Sequence, residues 1–440
     1  MQQVAGFPYF EVQFNKDGAI VAQSEVTQIA NFAGQGTITD LLVIAHGWNN
    51  DINDARGFYK TFFGQVRQRL DQAALPGLAG RSFAILGVLW PSKKFAEKEL
   101  IPGGAASTAG AISNQLILDQ LANLKGAFDA PNADTTLGQA AALVPRLESS
   151  PAARAEFAAL LRQLMPGAPA QEGEVPAQFF KLTGKTLMER LGKPPRIDGA
   201  ARVVGGGAAL GSAGHAAGIT DVGQMLTGVK AAALNLLNFI TYYQMKDRAG
   251  VVGQKGLYQV LRKLREKRPN LKLHLMGHSF GSRLLSAAVN GPDDQPALQV
   301  NSLTMLQAAF SHNGFAERFD GKRNGFFRRV VAEHRVSGPI LISHTPNDTA
   351  VGLVYPIASR LVGQNASAIG DKNDPFGSMG RNGAQKTPEA IDGKLLDVGG
   401  AYSFKAGKVY NLSADDWIKN HSDISNRQVA YALLVAIAAT

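Results

Sequence analysis

Gly277-His278-Ser279-Phe280-Gly281 stands between Leu271–Met276, which reads as a buried strand, and Phe280–Val289, which has helical spacing. A serine on so tight a strand-to-helix turn has a strained backbone, and the glycines beside it remove Cβ atoms that would clash. Its hydroxyl is then pushed out at the carboxyl edge of the sheet, where open α/β sheets hold ligands. The helix N-terminus behind it offers N–H groups to a developing negative charge. Such a serine suits nucleophilic attack, provided that a base takes its proton.

Eight histidines could serve: His46, His215, His274, His278, His312, His334, His344 and His421. His278 adjoins the serine, but on this turn its side chain is expected to point elsewhere. In the order nucleophile, acid, base, the acid ends a later strand and the base follows it. The strand Pro339–His344 runs into Thr345-Pro346-Asn347-Asp348, so Asp348 is expected at the sheet edge that carries Ser279, and beyond it only His421 remains. Asp320, Asp397, Asp415 and Asp416 compete for the acid role, but only Asp348 directly follows a buried strand. A tetrahedral oxyanion needs two preorganised donors, one after the nucleophile and one on the loop after an earlier strand. The loop His46-Gly47-Trp48 closes the apolar run Leu41–Ala45, so the backbone N–H groups of Trp48 and Phe280 are the candidates.

The elements that must position these residues alternate. Tyr9–Phe14 and Ala19–Ala22 read as strand, turn and strand; Leu41–Ala45 and Phe83–Trp90 read as buried parallel strands around a helix, Ala55–Leu70. The next such strand, Leu271–Met276, comes about 180 residues later, whereas a βαβ crossover needs roughly 30. The surplus, 91–250, reads as a helical insertion. In it Ile117, Leu121, Leu124 and Phe128 keep helical spacing, Ser150-Pro151 opens a helix, and Ala231–Met245 is apolar all round. Residues 203–218 read as a linker. Beyond the serine follow strands near Ser302–Ala308 and at Pro339–His344, a helix at Thr349–Leu361, a long loop over 363–400 and a strand at Lys408–Leu412. A capping box at Ser425 and Gln428 opens the last helix.

The HGW loop, the GHSFG elbow, the post-strand aspartate and the late histidine resemble the α/β-hydrolase superfamily of serine esterases and lipases. The resemblance covers 1–90 and 251–440, the expected core, with 91–250 as a helical cap. It implies an eight-stranded, mostly parallel sheet flanked by helices, and ester hydrolysis through an acyl-enzyme without a cofactor. Two features depart from the family pattern: the cap precedes the elbow strand, and the loop 363–408 is long. Leu236, Phe239, Ile240, Tyr242 and Tyr243 could wall an apolar acyl pocket or meet a lipid surface, so lipids are among the expected substrates.

The 440 residues are 45% hydrophobic and 18% charged, a globular balance that excludes a disordered or collagenous chain. There is no cysteine, which excludes disulfides and thiolate chemistry. The net charge of +10 suits an anionic membrane surface and a phospholipase variant of the same chemistry. The basic residues are spread apart from modest clusters at Arg262–Arg268 and Arg328–Arg329, and no nucleic-acid partner is expected. The N-terminal stretch lacks the pattern of a secretory signal, so a cytoplasmic protein, or one exported without a signal, is expected. Asp371-Lys372-Asn373-Asp374 resembles the start of a calcium loop, but Pro375 and Phe376 break the pattern, and the histidines lack metal-ligand spacing. A non-catalytic binding module on the same scaffold is the competing class.

Overall fold

The computed structural model describes residues 2–72, 75–92, 113–165, 177–192, 228–348, 372–374 and 376–440. Among them nine strands form one sheet: β1 (Gln2–Val4), β2 (Phe7–Gln13), β3 (Asp40–Ala45), β4 (Phe83–Leu89), β5 (Lys272–His278), β6 (Ser302–Leu306), β7 (Ile340–His344), β8 (Ala390–Lys394) and β9 (Val409–Ser413). Their order is β1-β2-β4-β3-β5-β6-β7-β9-β8. The β1–β2 pair is antiparallel and the other neighbours are parallel. The chain is thus an α/β protein with a mostly parallel, mixed sheet flanked by helices.

Burial on both faces explains the unbroken apolar runs of the central strands. Leu42, Ile44, Ile85 and Met276 share a core with Tyr59, Phe62, Phe63 and Val66 of the helix Ile52–Gln72 and with the helix Arg427–Ala438. Leu41, Val43, Leu273 and Leu275 alternate to the other face and are buried too. There the helix Phe280–Asn290, buried at every residue, packs along β3 and β5. After β4 the chain crosses β3 and adds β5 on its far side. Strand order therefore reverses at β3, and the crevice for ligands in such sheets opens at the carboxyl ends beside the reversal. His46 and Ser279 follow directly on those two ends.

Several elements differ from the sequence expectation. The N-terminal hairpin is β1–β2, turning at Ala5 and Gly6, and Ala19–Ala22 supplies only a bridge of Ile20 to Phe14. The helix Gln23–Gly34 follows. The expected loop 363–400 contains a short helix, Met379–Asn382, and the edge strand β8. Nine strands stand where the resemblance implied eight. The last helix is capped by Asn426, which accepts from the Val429 N–H at 2.9 Å, rather than by Ser425. Gln428 turns instead to Asp397. The expected helix Thr349–Leu361 and the linker 203–218 lie outside the described residues.

The chain divides into two compact units: Met1–Lys93, Met245–Val351 and Ser378–Thr440, which hold the sheet, and Lys94–Gln244 with Gly352–Gly377. In the second unit Ser113, Ser150 and Thr183 cap helices by accepting from the N–H groups of Leu116, Ala153 and Thr186. Phe239 packs on Phe179 and Tyr243 with ring centroids 4.9 and 4.8 Å apart. Leu236, Phe239, Ile240, Tyr242 and Tyr243 are all buried, so none presents an exposed apolar surface. Among the described residues no helix is long and apolar enough to cross a membrane.

Candidate active site

Ser279 sits at φ 56° and ψ −121°, a conformation that costs a non-glycine residue about 1–3 kcal/mol. Backbone bonds hold it there: its N–H donates to the Leu306 carbonyl at 3.0 Å, and its own carbonyl accepts from Ser282 at 3.1 Å and Ala309 at 3.3 Å. The neighbouring glycines answer to close approach. A Cβ at Gly277 would lie 2.5 Å from the Ser282 nitrogen, and one at Gly281 would overlap the Ala45 carbonyl. At Gly47 it would lie 2.8 Å from the Ser279 Cβ. The loop after β3 and the turn after β5 therefore pack so closely that no side chain fits at Gly47 or Gly281.

The loop 46–50 is anchored on its far side. The His46 N–H donates to the Tyr59 hydroxyl at 3.1 Å, which donates in turn to the Val88 carbonyl at 2.6 Å. The His46 ring stacks on Trp90, centroids 5.6 Å apart, and the Trp90 indole N–H donates to the His46 carbonyl at 3.0 Å. Burial pushes the His46 imidazole down to about 4, so it is neutral, and its Nδ1–H donates to the Gly47 carbonyl at 3.0 Å. Asn50 Nδ2 also reaches that carbonyl at 3.2 Å, and the Trp48 carbonyl at 3.0 Å. In a trans peptide the N–H is antiparallel to the C=O. Fixing the Gly47 carbonyl therefore aims the Trp48 N–H the opposite way. The Trp48 and Phe280 rings meet at 6.0 Å, so the two candidate oxyanion donors belong to adjoining residues.

His421 Nδ1 lies 2.8 Å from Asp348 Oδ2. The carboxylate is fully buried, whereas the imidazole is 15% exposed. Asp348 occupies the turn after β7, where its N–H donates to the Thr345 carbonyl at 3.1 Å. Asn347 Nδ2 donates to the carbonyls of Asp415 and Ile418 at 3.2 and 3.1 Å, tying this turn to the loop that carries His421. His278 ties the same loop to the elbow: its Nε2–H donates to the His421 carbonyl at 2.8 Å, and the two rings lie 4.7 Å apart. Burial, reinforced by His421 alongside, pushes His278 down to about 3, so it holds this bond as a neutral ring. With Nδ1 engaged by Asp348, Nε2 of His421 is the nitrogen left to exchange a proton with a substrate or nucleophile. Among the described residues no hydrogen bond joins the Ser279 hydroxyl to the His421 ring. In free enzymes such bonds are often long and tighten with substrate.

The other carboxylates lie elsewhere. Asp320 is engaged by Arg323 at 2.7 Å, Asp397 by Gln428 at 2.8 Å, and Asp415 and Asp416 are exposed. Asp374 accepts from the Phe376 N–H at 2.9 Å, and Asp371 lies outside the described residues. Among the described residues no three His, Asp or Glu side chains are grouped to hold a metal ion.

The sequence reading missed Asn50, Asn347 and Gln307. Gln307 Nε2 donates at 3.0 Å to Asp348 Oδ2, the oxygen that faces His421. The expected strand Ser302–Ala308 absorbed this residue; β6 ends at Leu306, so Gln307 belongs to the carboxyl edge of the sheet. A polar residue closing a buried parallel strand was the available signal. Comparison with protein-family models, curated proteins and solved structures finds no match. Any functional reading therefore rests on these residues themselves.

Proposed function

We propose that this chain is a serine hydrolase of carboxylic esters, of the α/β-hydrolase kind, working through an acyl-enzyme. The observation that carries the reading is His421 Nδ1 at 2.8 Å from the buried Asp348 carboxylate, on a loop bonded to the residue before Ser279. Ser279 Oγ attacks the acyl carbonyl carbon while His421 Nε2 takes its proton. Asp348 stabilises the imidazolium through Nδ1–H, and the Trp48 and Phe280 N–H groups receive the oxyanion. Collapse breaks the ester C–O bond, and the departing alkoxide takes the proton from His421. Water then attacks the acyl-enzyme, His421 takes its proton, and the proton returns to Ser279 Oγ as the acid leaves.

The buried state of Phe239 and Tyr243 removes the apolar-surface argument for a long acyl chain, so the reading stops at the ester class. A fluorophosphonate probe tests the nucleophile, followed by p-nitrophenyl esters of graded length and a phospholipid. Labelling of the wild type that vanishes in Ser279→Ala, with ester turnover lost in parallel, is expected. An unlabelled wild type, or a Ser279→Ala variant that still labels and turns over, overturns the reading and favours a binding module.

A further inference from the structure

We infer that Gln307 is a positioning residue that holds Asp348, and through it the His421 imidazole, in register with Ser279. This rests on the function proposed above. A carboxylate fully withdrawn from water must be hydrogen-bonded, and Gln307 Nε2 supplies a bond at 3.0 Å to the very oxygen that His421 faces at 2.8 Å.

The amide orientation follows from its surroundings. Ser343 Oγ accepts from the Gln307 backbone N–H at 3.2 Å, and its single hydroxyl proton goes to Gln307 Oε1 at 2.9 Å. The NH2 end then faces two acceptors, Asp348 Oδ2 and the Gly380 carbonyl, both at 3.0 Å. Reversing the amide would set an oxygen against two oxygens and leave Ser343 without an acceptor there. Every polar hydrogen of the side chain is committed, and all three partners, Ser343, Asp348 and Gly380, lie on other segments.

The backbone supports the same role. Gln307 has φ 48°, a left-handed conformation unfavourable for a side chain of this size. The residues around it bond to the nucleophile: the Leu306 carbonyl accepts from the Ser279 N–H, and the Ala309 N–H donates to the Ser279 carbonyl. A Cβ at Gly380 would lie 2.5 Å from the Gln307 carbonyl carbon, so the segment after Ser378 is fitted against this turn. One strained turn thus grips the elbow through its main chain and the acid through its side chain. A structural glutamine would need neither the strain nor the aim at Oδ2.

Gln307→Glu keeps the size and the Ser343 contact but sets an oxygen opposite Asp348; Gln307→Leu removes all the polar contacts. Both are compared with wild type by thermal unfolding, steady-state ester kinetics and the proton NMR resonance of the His421 Nδ1–H. In the folded variants kcat is expected to fall on the order of 10- to 100-fold with KM within about twofold, as a misplaced catalytic group gives. The Nδ1–H resonance should move or vanish. Ser343→Ala, which frees the amide to turn, should show a smaller loss of the same kind. Folded Gln307→Glu and Gln307→Leu proteins with wild-type kcat and an unmoved resonance overturn the inference, since a merely structural role changes only the melting temperature. The resonance needs no turnover: were the wild type inert to fluorophosphonate, a resonance that still moves in the variants would sustain the positioning role and fail only the hydrolase reading.

Discussion

Asp348 and Asp397 make opposite predictions although both are carboxylates held by glutamine. Asp348 is buried against His421, so Asp348→Asn takes the charge from beneath an imidazole that must become cationic. Its carbonyl turned to Nδ1 would keep the tautomer without the charge; its NH2 turned there would impose the wrong tautomer. Either way turnover should fall roughly 10²- to 10⁴-fold in a folded protein, as kcat/KM on a short ester would report. Asp397 is exposed and bonded to Gln428, and Asp397→Asn should leave kcat/KM unaltered. The reverse pattern would move the acid role away from Asp348. The histidine at 278 shows why residue order alone is not enough. Its ring was expected only to point away from the serine, and it fastens the loop of His421 to the elbow, because a ring at the carboxyl end of β5 has that loop within reach.

Secondary elements were legible where burial imposes a pattern. The strands β3 and β4 came through as apolar runs because a parallel strand covered on both faces has little room for polar side chains. The strand β8 did not, since four of its five residues, Ile391–Lys394, are exposed and its sequence carries no alternation. The β1–β2 turn escaped because Ala5 adopts positive φ, which alanine does not advertise. The helix Gln23–Gly34 was missed although its pattern was there: Val26, Ile29, Ala30 and Ala33 form one buried stripe. The placement of Ser279 after β5 and of Asp348 after β7 was readable from strand ends, and that of His421 from its order in the chain; the polar residues bracing them depend on contacts across segments and were not. The last helix offers a direct check, because a capping box and an Asn cap differ by one residue. Asn426 accepts from Val429 and donates to the Trp417 and Asp423 carbonyls, whereas Ser425 caps nothing. Asn426→Ala should cost about 1–2 kcal/mol in denaturant unfolding, and Ser425→Ala a few tenths at most. Equal losses would mean that the cap is shared.

Across the whole molecule some of the arginines of the basic cluster are tied to the fold through backbone carbonyls. Arg265 donates to the Pro269 and Leu271 carbonyls at 2.5 and 2.8 Å, and Arg268 to that of Ala33 at 3.0 Å. A second Ser–His–Asp set lies at the opposite edge of the sheet: His274 contacts Ser302 Oγ and Asp40 Oδ1, each at 2.8 Å. All three are fully buried, so no substrate reaches them, and the set serves stability. Burial would raise Asp40, but bonds from His274, Arg81 and Thr39 override it and hold the carboxyl below its usual range. Burial lowers His46 to about 4 and His278 to about 3, and lowers His274 and His344 as well. These folded-state values lie below those of the unfolded chain, so the unfolded state binds more protons as the pH falls through about 6.5. Their stabilisation is therefore complete above that pH and is lost on acidification, by about 1.4 kcal/mol per pH unit for each histidine in its window. For His46 the window runs from about 6.5 to about 4, and Asp40 adds its own loss below the ordinary carboxylate range. Urea unfolding midpoints should be level between pH 7 and 8 and drop steeply from pH 6.5 to 4.5. His46→Gln should flatten part of that slope, whereas a midpoint unchanged between pH 7 and 5 would mean that these rings take up protons without unfolding.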